Sequence, residues 1–271
     1  MKFSVLLSLY HKENPEYLNA SLESISKQSR KADEVVIVLD GPVGQELENI
    51  LESWINQLPI KIIRLSENVG LGQALNEGLD NCTNEMIFRM DTDDICCGKR
   101  FEKQIDAFES DPKLVLLGGQ IDEYDETMNN LLGIRKVPVG FDSIKKNAKF
   151  KNPFNHMTVA FKKTYVQAVG GYVHHSFMED YNLWLRMIAA NYKVDNLKDT
   201  LVLARTGRSM LERRKGIDYL KSEVKLFNLK NQLKLISPLV GAAILILRAS
   251  PRLFPTSVLH VFYKIQRKGS K

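Results

Sequence analysis

The chain has 271 residues, 44% hydrophobic and 26% charged, enough to bury a sizeable core and ordinary for a globular protein. Its three cysteines, Cys82, Cys96 and Cys97, form no paired spacing, which argues against a disulfide scaffold and for a reducing compartment, most simply the cytoplasm. The net charge of +6 is uneven: from Arg205 onward there are fifteen Lys/Arg against three Asp/Glu, so this part either meets an anionic ligand or lipid surface or is a solvated basic tail.

Met1-Lys2 leads into an apolar stretch over residues 3–10 that is too short for a secretory leader and lacks a small-residue cleavage site, so none is expected. Residues 4–9 read as a buried strand. Residues 16–28 follow as a helix, with Leu18, Leu22 and Ile25 at helical spacing. Val35-Val36-Ile37-Val38-Leu39 is an unbroken apolar run stopped by Asp40-Gly41-Pro42, as in a parallel strand buried on both faces and closed by a turn. Leu47, Ile50, Leu51 and Trp54 line a second helix. A third strand is expected over 60–65, a helix over 70–79, a fourth strand over 86–90, a helix around 101–108 and a fifth strand over 114–117. This alternation implies an α/β fold, a doubly wound, mostly parallel sheet with flanking helices and right-handed crossovers. Ligands of such sheets lie beyond the carboxyl ends of the strands, where the strand order reverses. The second strand ends on Asp40, and the fourth on Asp91, Asp93 and Asp94.

Residues 119–199 are less regular, with two short strands around 131–137 and 158–161 and a strong helix over 179–190. A helical pattern over 209–235 puts Ile217, Leu220, Val224 and Phe227 on one face. Residues 239–247 are apolar throughout, far short of the ~20 residues needed to span a bilayer. Beyond them Phe254, Val258, Val261, Phe262 and Ile265 share a helical face beside Lys264, Arg267 and Lys268. That pattern fits a basic amphipathic helix lying in a membrane interface, or a helix closing over the core.

Asp91-Thr92-Asp93 is the sharpest chemical feature. Two acids one residue apart at a strand end can aim oxygen ligands at one hard cation, Mg²⁺ or Mn²⁺, which in turn holds diphosphate oxygens. The cation would neutralise charge on a departing nucleotide diphosphate. The alternative is an acidic turn capping the helix that starts near Lys99. Asp40 could accept the N3–H of uracil, or serve only as a turn residue. Asn68-Val69-Gly70-Leu71-Gly72 reads as a capped helix start whose glycines allow close backbone approach to a ligand, with Asn68 as the cap. It lacks the endings of a P-loop and of a dinucleotide fingerprint. Glu179-Asp180 opens an apolar helix; the pair suits the helix dipole, or Asp180 is a general base.

Taken in order, Ser8-Leu9-Tyr10 with Asp40, the Asn68-x-Gly70-x-x-x-Ala74 helix start, Asp91-x-Asp93, and Glu179-Asp180 with Trp184 and Arg186 resemble glycosyltransferase family 2. The likeness runs from Phe3 to about Gly216, and extends especially to amylovoran-type and related enzymes that assemble bacterial exopolysaccharide and O-antigen repeat units. It implies the GT-A fold over residues 1–208, with a nucleotide-binding half (1–120) and an acceptor half (121–208). A helical, membrane-associating region (209–271) follows. It implies inverting transfer of galactose or glucose from a UDP-sugar to a saccharide on polyprenyl diphosphate, with Mn²⁺ or Mg²⁺ on Asp91 and Asp93 and Asp180 as base. Ser8, Tyr10, Glu13, Asp40, Asn68, Arg89, Asp91, Thr92 and Asp93 would bind the nucleotide-sugar. Asn155, His156, Glu179, Arg205, Arg208, Arg213 and Arg214 would line the acceptor and its phosphates, arginine forks suiting phosphate oxygens. A solvated face is the alternative for Arg213 and Arg214, and a merely satisfied polar side chain for His156.

The resemblance also implies a cytoplasmic enzyme held peripherally on the anionic inner face of the cytoplasmic membrane. The processive-synthase signature QxxRW is absent, since the tryptophans are Trp54 and Trp184, so one sugar per encounter is expected. Two other readings stay open: a nucleotidyltransferase, disfavoured because Tyr10-His11-Lys12-Glu13-Asn14-Pro15 has no glycine, and a non-catalytic membrane scaffold. Nucleic-acid binding is not expected, for want of aromatic and basic interleaving.

Overall fold

A computed structural model describes residues 1–206 and 216–249. Strands β1 (Phe3–Leu9), β2 (Glu34–Leu39), β3 (Ile60–Arg64) and β4 (Met86–Arg89) lie parallel in the order β3-β2-β1-β4. Between them run helices α1 (Pro15–Ser26), α2 (Gln45–Trp54) and α3 (Leu71–Asn81). Asn14 caps α1 by accepting from the Glu16 amide, and Pro15 sits at the first turn, where no N–H is required. The strand order reverses between β1 and β4, so the crevice beyond their carboxyl ends is where a ligand is expected.

The apolar strands bury both faces. One face packs Val5, Leu7, Val35, Ile37 and Phe88 against α1, α2 and α4 (Arg100–Ser110). The other packs Leu6, Val36, Val38 and Ile87 against α3 and α7 (Glu179–Ala189). Gly78 of α3 lies so close to the sheet that a Cβ there would stand 2.3 Å from Leu6 Cδ1.

Past α4 the structure departs from the sequence expectation. The fifth expected strand runs on to Tyr124 as part of β6 (Leu114–Tyr124), because Gly118 and Gly119 leave room for Asn196 and Leu201 against the backbone. The two short strands are β7 (Leu131–Arg135) and β8 (Ala160–Lys162), each antiparallel to a different part of β6. β8 also pairs antiparallel with β4, which carries the preceding 3-10 turn (His156–Thr158) to the carboxyl end of β4. Strands β5 (Ile95–Cys96) and β9 (Lys193–Arg205) were not foreseen. The first has two residues, and the second mixes charged residues with apolar ones instead of alternating cleanly. β9 lies parallel to β6 and ends beside β5. Short helices α5 (Phe141–Asn147) and α6 (Lys163–Ala168) complete this half.

Helices α8 (Gly216–Gln232) and α9 (Pro238–Ala249) pack on each other, and α8 on α7. The face foreseen for α8 is corrected. Ile217 and Val224 are exposed, while Tyr219, Ser222, Glu223, Leu226 and Lys230 face inward. Glu223 and Lys230 can take the inner face because Arg248 and the Lys149 carbonyl supply their partners. Among the described residues no helix is long and apolar enough to cross a membrane. The amphipathic pattern from Phe254 onward lies outside the described residues.

Candidate active site

The turn after β4 gathers carboxylates. Asp91, Asp93 and Asp94 each offer an oxygen within 4.8 Å of the others, a spacing suited to one cation. Three braces fix the turn. Ser21 of α1 donates to the Asp91 carbonyl at 3.0 Å, Thr92 donates to Glu13 at 2.5 Å, and the Arg205 amide donates to Asp94 at 2.9 Å. Burial, then the charges of Asp91 and Glu13, push the Asp93 carboxyl up to about 7. Burial, then Asp93 and Asp91, raise Asp94 well above the carboxylate range. Such a cluster gathers more negative charge than its protein neighbours neutralise, which is the electrostatic character of a cation site.

Arg89 supplies the protein's own countercharge. Its guanidinium is 2% exposed and forms an ion pair with Asp91. Burial disfavours that charge, and the neighbouring Asp91 carboxylate acts against it, so that the pKa of Arg89 is raised. Below it the fully buried Arg100 donates to the Arg89 carbonyl at 2.7 Å and to Gln104 at 3.1 Å, which fixes the strand end from inside the core.

At the end of β2, Asp40 is 3% exposed and both its oxygens are engaged. It accepts from the Val69 amide at 2.7 Å, the Gly70 amide at 3.1 Å and the Asn68 amide group at 3.0 Å. Gly70, at φ 88°, is itself the N-cap of α3, so Asn68 holds Asp40 instead of capping the helix. In the structure Asp40 braces the loop ahead of α3, and since a carboxylate can accept about four hydrogen bonds, Oδ1 keeps a site beyond the Val69 amide. Ser8 is half-buried at the end of β1, and Tyr10 is exposed just beyond it.

Asp180 lies in the first turn of α7. Its carboxylate accepts from Asn152 at 2.6 Å and from the Tyr181 amide at 2.7 Å. Burial raises its pKa, against the lowering effects of the Asn152 bond and of the Arg135 and Arg89 charges. Burial raises Glu179 as well. Gly72 of α3 lets Glu179 come close, since a Cβ there would stand 3.2 Å from Glu179 Cγ. His156 bonds the Tyr172 hydroxyl at 2.9 Å and lies against the Trp184 ring. Burial, then the Arg89 charge, hold His156 well below its usual pKa, so it is neutral. Asn76 of α3 grips the backbone of Tyr172 through both N–H and C=O, and Arg186 donates to the Gly171 carbonyl at 2.6 Å.

Two expected acceptor residues are engaged by the protein's own backbone. Asn155 is fully buried and donates to the Gly119 carbonyl at 2.8 Å, a core role with no exposed atom for an acceptor. The Arg205 guanidinium stacks on Tyr17 at 4.2 Å and donates to the carbonyls of Asp93 and Glu126, so it props the acidic turn. Arg208, Arg213 and Arg214 lie outside the described residues. Conversely, Asn152 and Tyr172 were missed. The Asn152-Pro153 turn signal and the Gly170-Gly171 pair before Tyr172 marked both as loop residues, without showing what they touch.

Residues 4–218 match the sequence pattern of Glycosyl transferase family 2. The chain belongs to that family. It is a glycosyltransferase, and among the readings left open by the sequence the nucleotidyltransferase and the non-catalytic scaffold fall away. It is 46% identical to the amylovoran biosynthesis glycosyltransferase AmsE of Erwinia amylovora, over 98% of this chain and all of that one. It is 38% identical to an Escherichia coli UDP-Gal:alpha-D-GlcNAc-diphosphoundecaprenol beta-1,3-galactosyltransferase, over 97% of this chain and 95% of that one. The fold matches that of S. aureus TarS 1–349, solved with UDP-GlcNAc, with a TM-score of 0.67 at 20% identity over 92% of this chain and 72% of that one. This glycosyltransferase therefore has the GT-A architecture, with relatives in exopolysaccharide biosynthesis.

Proposed function

We propose that this glycosyltransferase moves one hexose, galactose or glucose, from a UDP-sugar to a saccharide on polyprenyl diphosphate, with inversion. The observation that supports this reading best is that the buried Arg89 lies close enough to interact electrostatically both with the acidic cluster, through Asp91 and Asp94, and with Asp180. The substrate class draws on the galactosyltransferase relative, whose name specifies a diphosphoundecaprenol-linked acceptor.

Asp91 and Asp93 are hard oxygen donors in a cluster short of positive charge, so they fit Mn²⁺ or Mg²⁺. When bound, the cation supplies positive charge against the diphosphate of the donor. Asp94 and Arg205 hold the turn in place, and Glu13 fixes Thr92. Asp180, ionised, takes the proton of the acceptor hydroxyl as that oxygen bonds to the anomeric carbon and the bond to the diphosphate breaks. Asn152 and the Tyr181 amide aim its oxygens, and neutral His156 is held by the Tyr172 hydroxyl within reach of the Arg89 charge.

Attachment to an anionic membrane surface on the cytoplasmic side completes the reading, with residues 1–208 as the catalytic domain and 209–271 as the membrane-associating region. It draws on the basic character of the chain after Arg205 and on the exposed Leu239, Val240, Ile246 and Leu247 of α9.

The deciding experiment is calorimetric titration of UDP, with and without Mn²⁺, on the wild type and Asp91→Ala. Expected are metal-dependent binding to the wild type and its loss in the variant. Absence of UDP binding to the wild type under both conditions overturns the uridine donor, and equal binding by both proteins overturns the metal site.

A further inference from the structure

Three consecutive carbonyls at the end of α5 are each capped from a different helix. Tyr181 of α7 donates its hydroxyl to Ala148 at 2.7 Å, Lys230 of α8 donates to Lys149 at 2.8 Å, and Arg248 of α9 donates to Phe150 at 2.7 Å. Lys230 is 2% exposed and lies over the Tyr181 ring at 4.8 Å, with Arg248 at 5.9 Å from the same ring. Glu223, also 2% exposed, holds Arg248 through two bonds of 2.7 and 2.8 Å. A buried bidentate pair of this kind fixes geometry well and is costly to break from one side. Two residues after Phe150 comes Asn152, the donor to Asp180, and Asp180 is the residue before Tyr181. The clamp therefore grips both sides of the Asn152–Asp180 bond.

We propose that α8 and α9 are a positioning element of the transfer site, in which Lys230 and Arg248 fix the 148–152 segment so that Asn152 orients Asp180. The importance of this for catalysis rests on the reading of Asp180 as the base. It gives the C-terminal helices a second role besides contact with a surface. The inner edge of α9 sets the base, while Leu239, Ile246 and Leu247 point outward. Contact of that outer edge with lipid would then bear on the geometry of Asp180.

The test needs no acceptor. In full-length protein labelled with ¹³C at the aspartate carboxyls, the Asp180 titration is followed in the wild type, Arg248→Met, Asn152→Ala and the double variant. Asp180 is faced by Arg135 of β7, Arg89 of β4, Tyr172, and Glu179 and Tyr181 of its own helix, none of which these substitutions remove. Loss of the Asn152 bond removes an interaction that favours the ionised form, so Asn152→Ala moves the midpoint up by roughly half a pH unit or more. Arg248→Met is expected to move it in the same direction, and the double variant to match Asn152→Ala alone. An unmoved midpoint in Arg248→Met, or additive shifts in the double variant, overturns the proposal.

If Arg248→Met does not fold, Gly241→Leu lifts α9 instead, because a Cβ there would stand 2.7 Å from the Phe227 ring. The same upward shift is expected from it, and an unmoved midpoint again overturns the clamp. Transfer by Asp180→Asn decides the base reading separately. Full activity in that variant removes the base, whereas the titration reads the clamp in either case.

Discussion

Arg89 and Asp91 stand two residues apart at the end of β4 and form an ion pair in which the guanidinium is buried and the carboxylate is partly open. The arginine is thus a fixed cation against a cluster that also gathers Asp93 and Asp94, more carboxylates than one guanidinium pairs. Substitution Arg89→Met leaves Asp91, Asp93 and Asp94 without their buried countercharge. Because Asp91 stays partly hydrated, the loss is expected to fall below the about 3–5 kcal/mol typical of a fully buried pair. That loss of stability is expected in metal-free buffer and should be partly recovered by Mn²⁺, which only the folded cluster binds well. Urea midpoints of both proteins with and without Mn²⁺ check this. A loss of equal size in both conditions would show that Arg89 does not share the charge of a cation site.

The brace at the end of β2 makes a separate prediction. Asp40→Ala strands the amides of Val69 and Gly70, and Asn68→Ala removes the third donor. An unsatisfied buried polar group costs about 1–3 kcal/mol, so Asp40→Ala is expected to lose more than Asn68→Ala. The double variant should lose less than the two together, by about 0.5 kcal/mol or more, because the residues share one interaction. Strict additivity would mean that the contact contributes nothing.

The parts that could be read in the sequence are those governed by short-range rules. Val35 to Leu39, the helical spacing of Leu18, Leu22 and Ile25 and the acidic turn at Asp91 show their nature through local pattern, and the parallel pairing of the first four strands follows from their alternation with helices. β9 was not legible because Lys193, Asp195, Lys198 and Asp199 interrupt its apolar residues; its pairing with β6 is a long-range fact. The protein partners of Asp40, Asn68, Asn155 and Arg205 were hidden for one reason. Each satisfies backbone groups far away in sequence, and a polar residue gives no local sign of whether its partner is the protein or a ligand. The inward face of α8 was misjudged for the same reason. Apolar spacing favoured Ile217 and Val224, while Glu223 and Lys230 are buried by partners that periodicity cannot see.

Asp180 has a pH signature. Burial raises its carboxyl above the ordinary range, and a base must be ionised to act, so transfer should fail as pH drops through that raised value. The acid limb of kcat is expected above that of an ordinary aspartate and should move higher still in Asn152→Ala. Asp180→Asn should lower kcat by about 10²–10⁴-fold while UDP affinity changes less than about twofold. An equal loss of UDP binding would assign Asp180 to donor binding or to structure.

Lys230 links pH to the docking of α8. Burial, then the Arg248 charge, push its pKa down to about 7, against the opposite pull of Glu223. In the unfolded chain the amine keeps its ordinary value of 10.5, so between about 7 and 10.5 the unfolded chain binds a proton that the folded one does not. Stability from this group therefore rises with pH across that window, and the cost of burying the charged amine is felt in full below 7. Lys230→Met removes that cost together with the bond to Lys149. The variant should compare most favourably with the wild type at pH 6 and lose ground steadily toward pH 10, by an amount of the order of a few kcal/mol. Urea midpoints of both proteins at several pH values give the difference directly. A difference that does not change with pH would show that Lys230 is not protonated differently in the folded and unfolded chains.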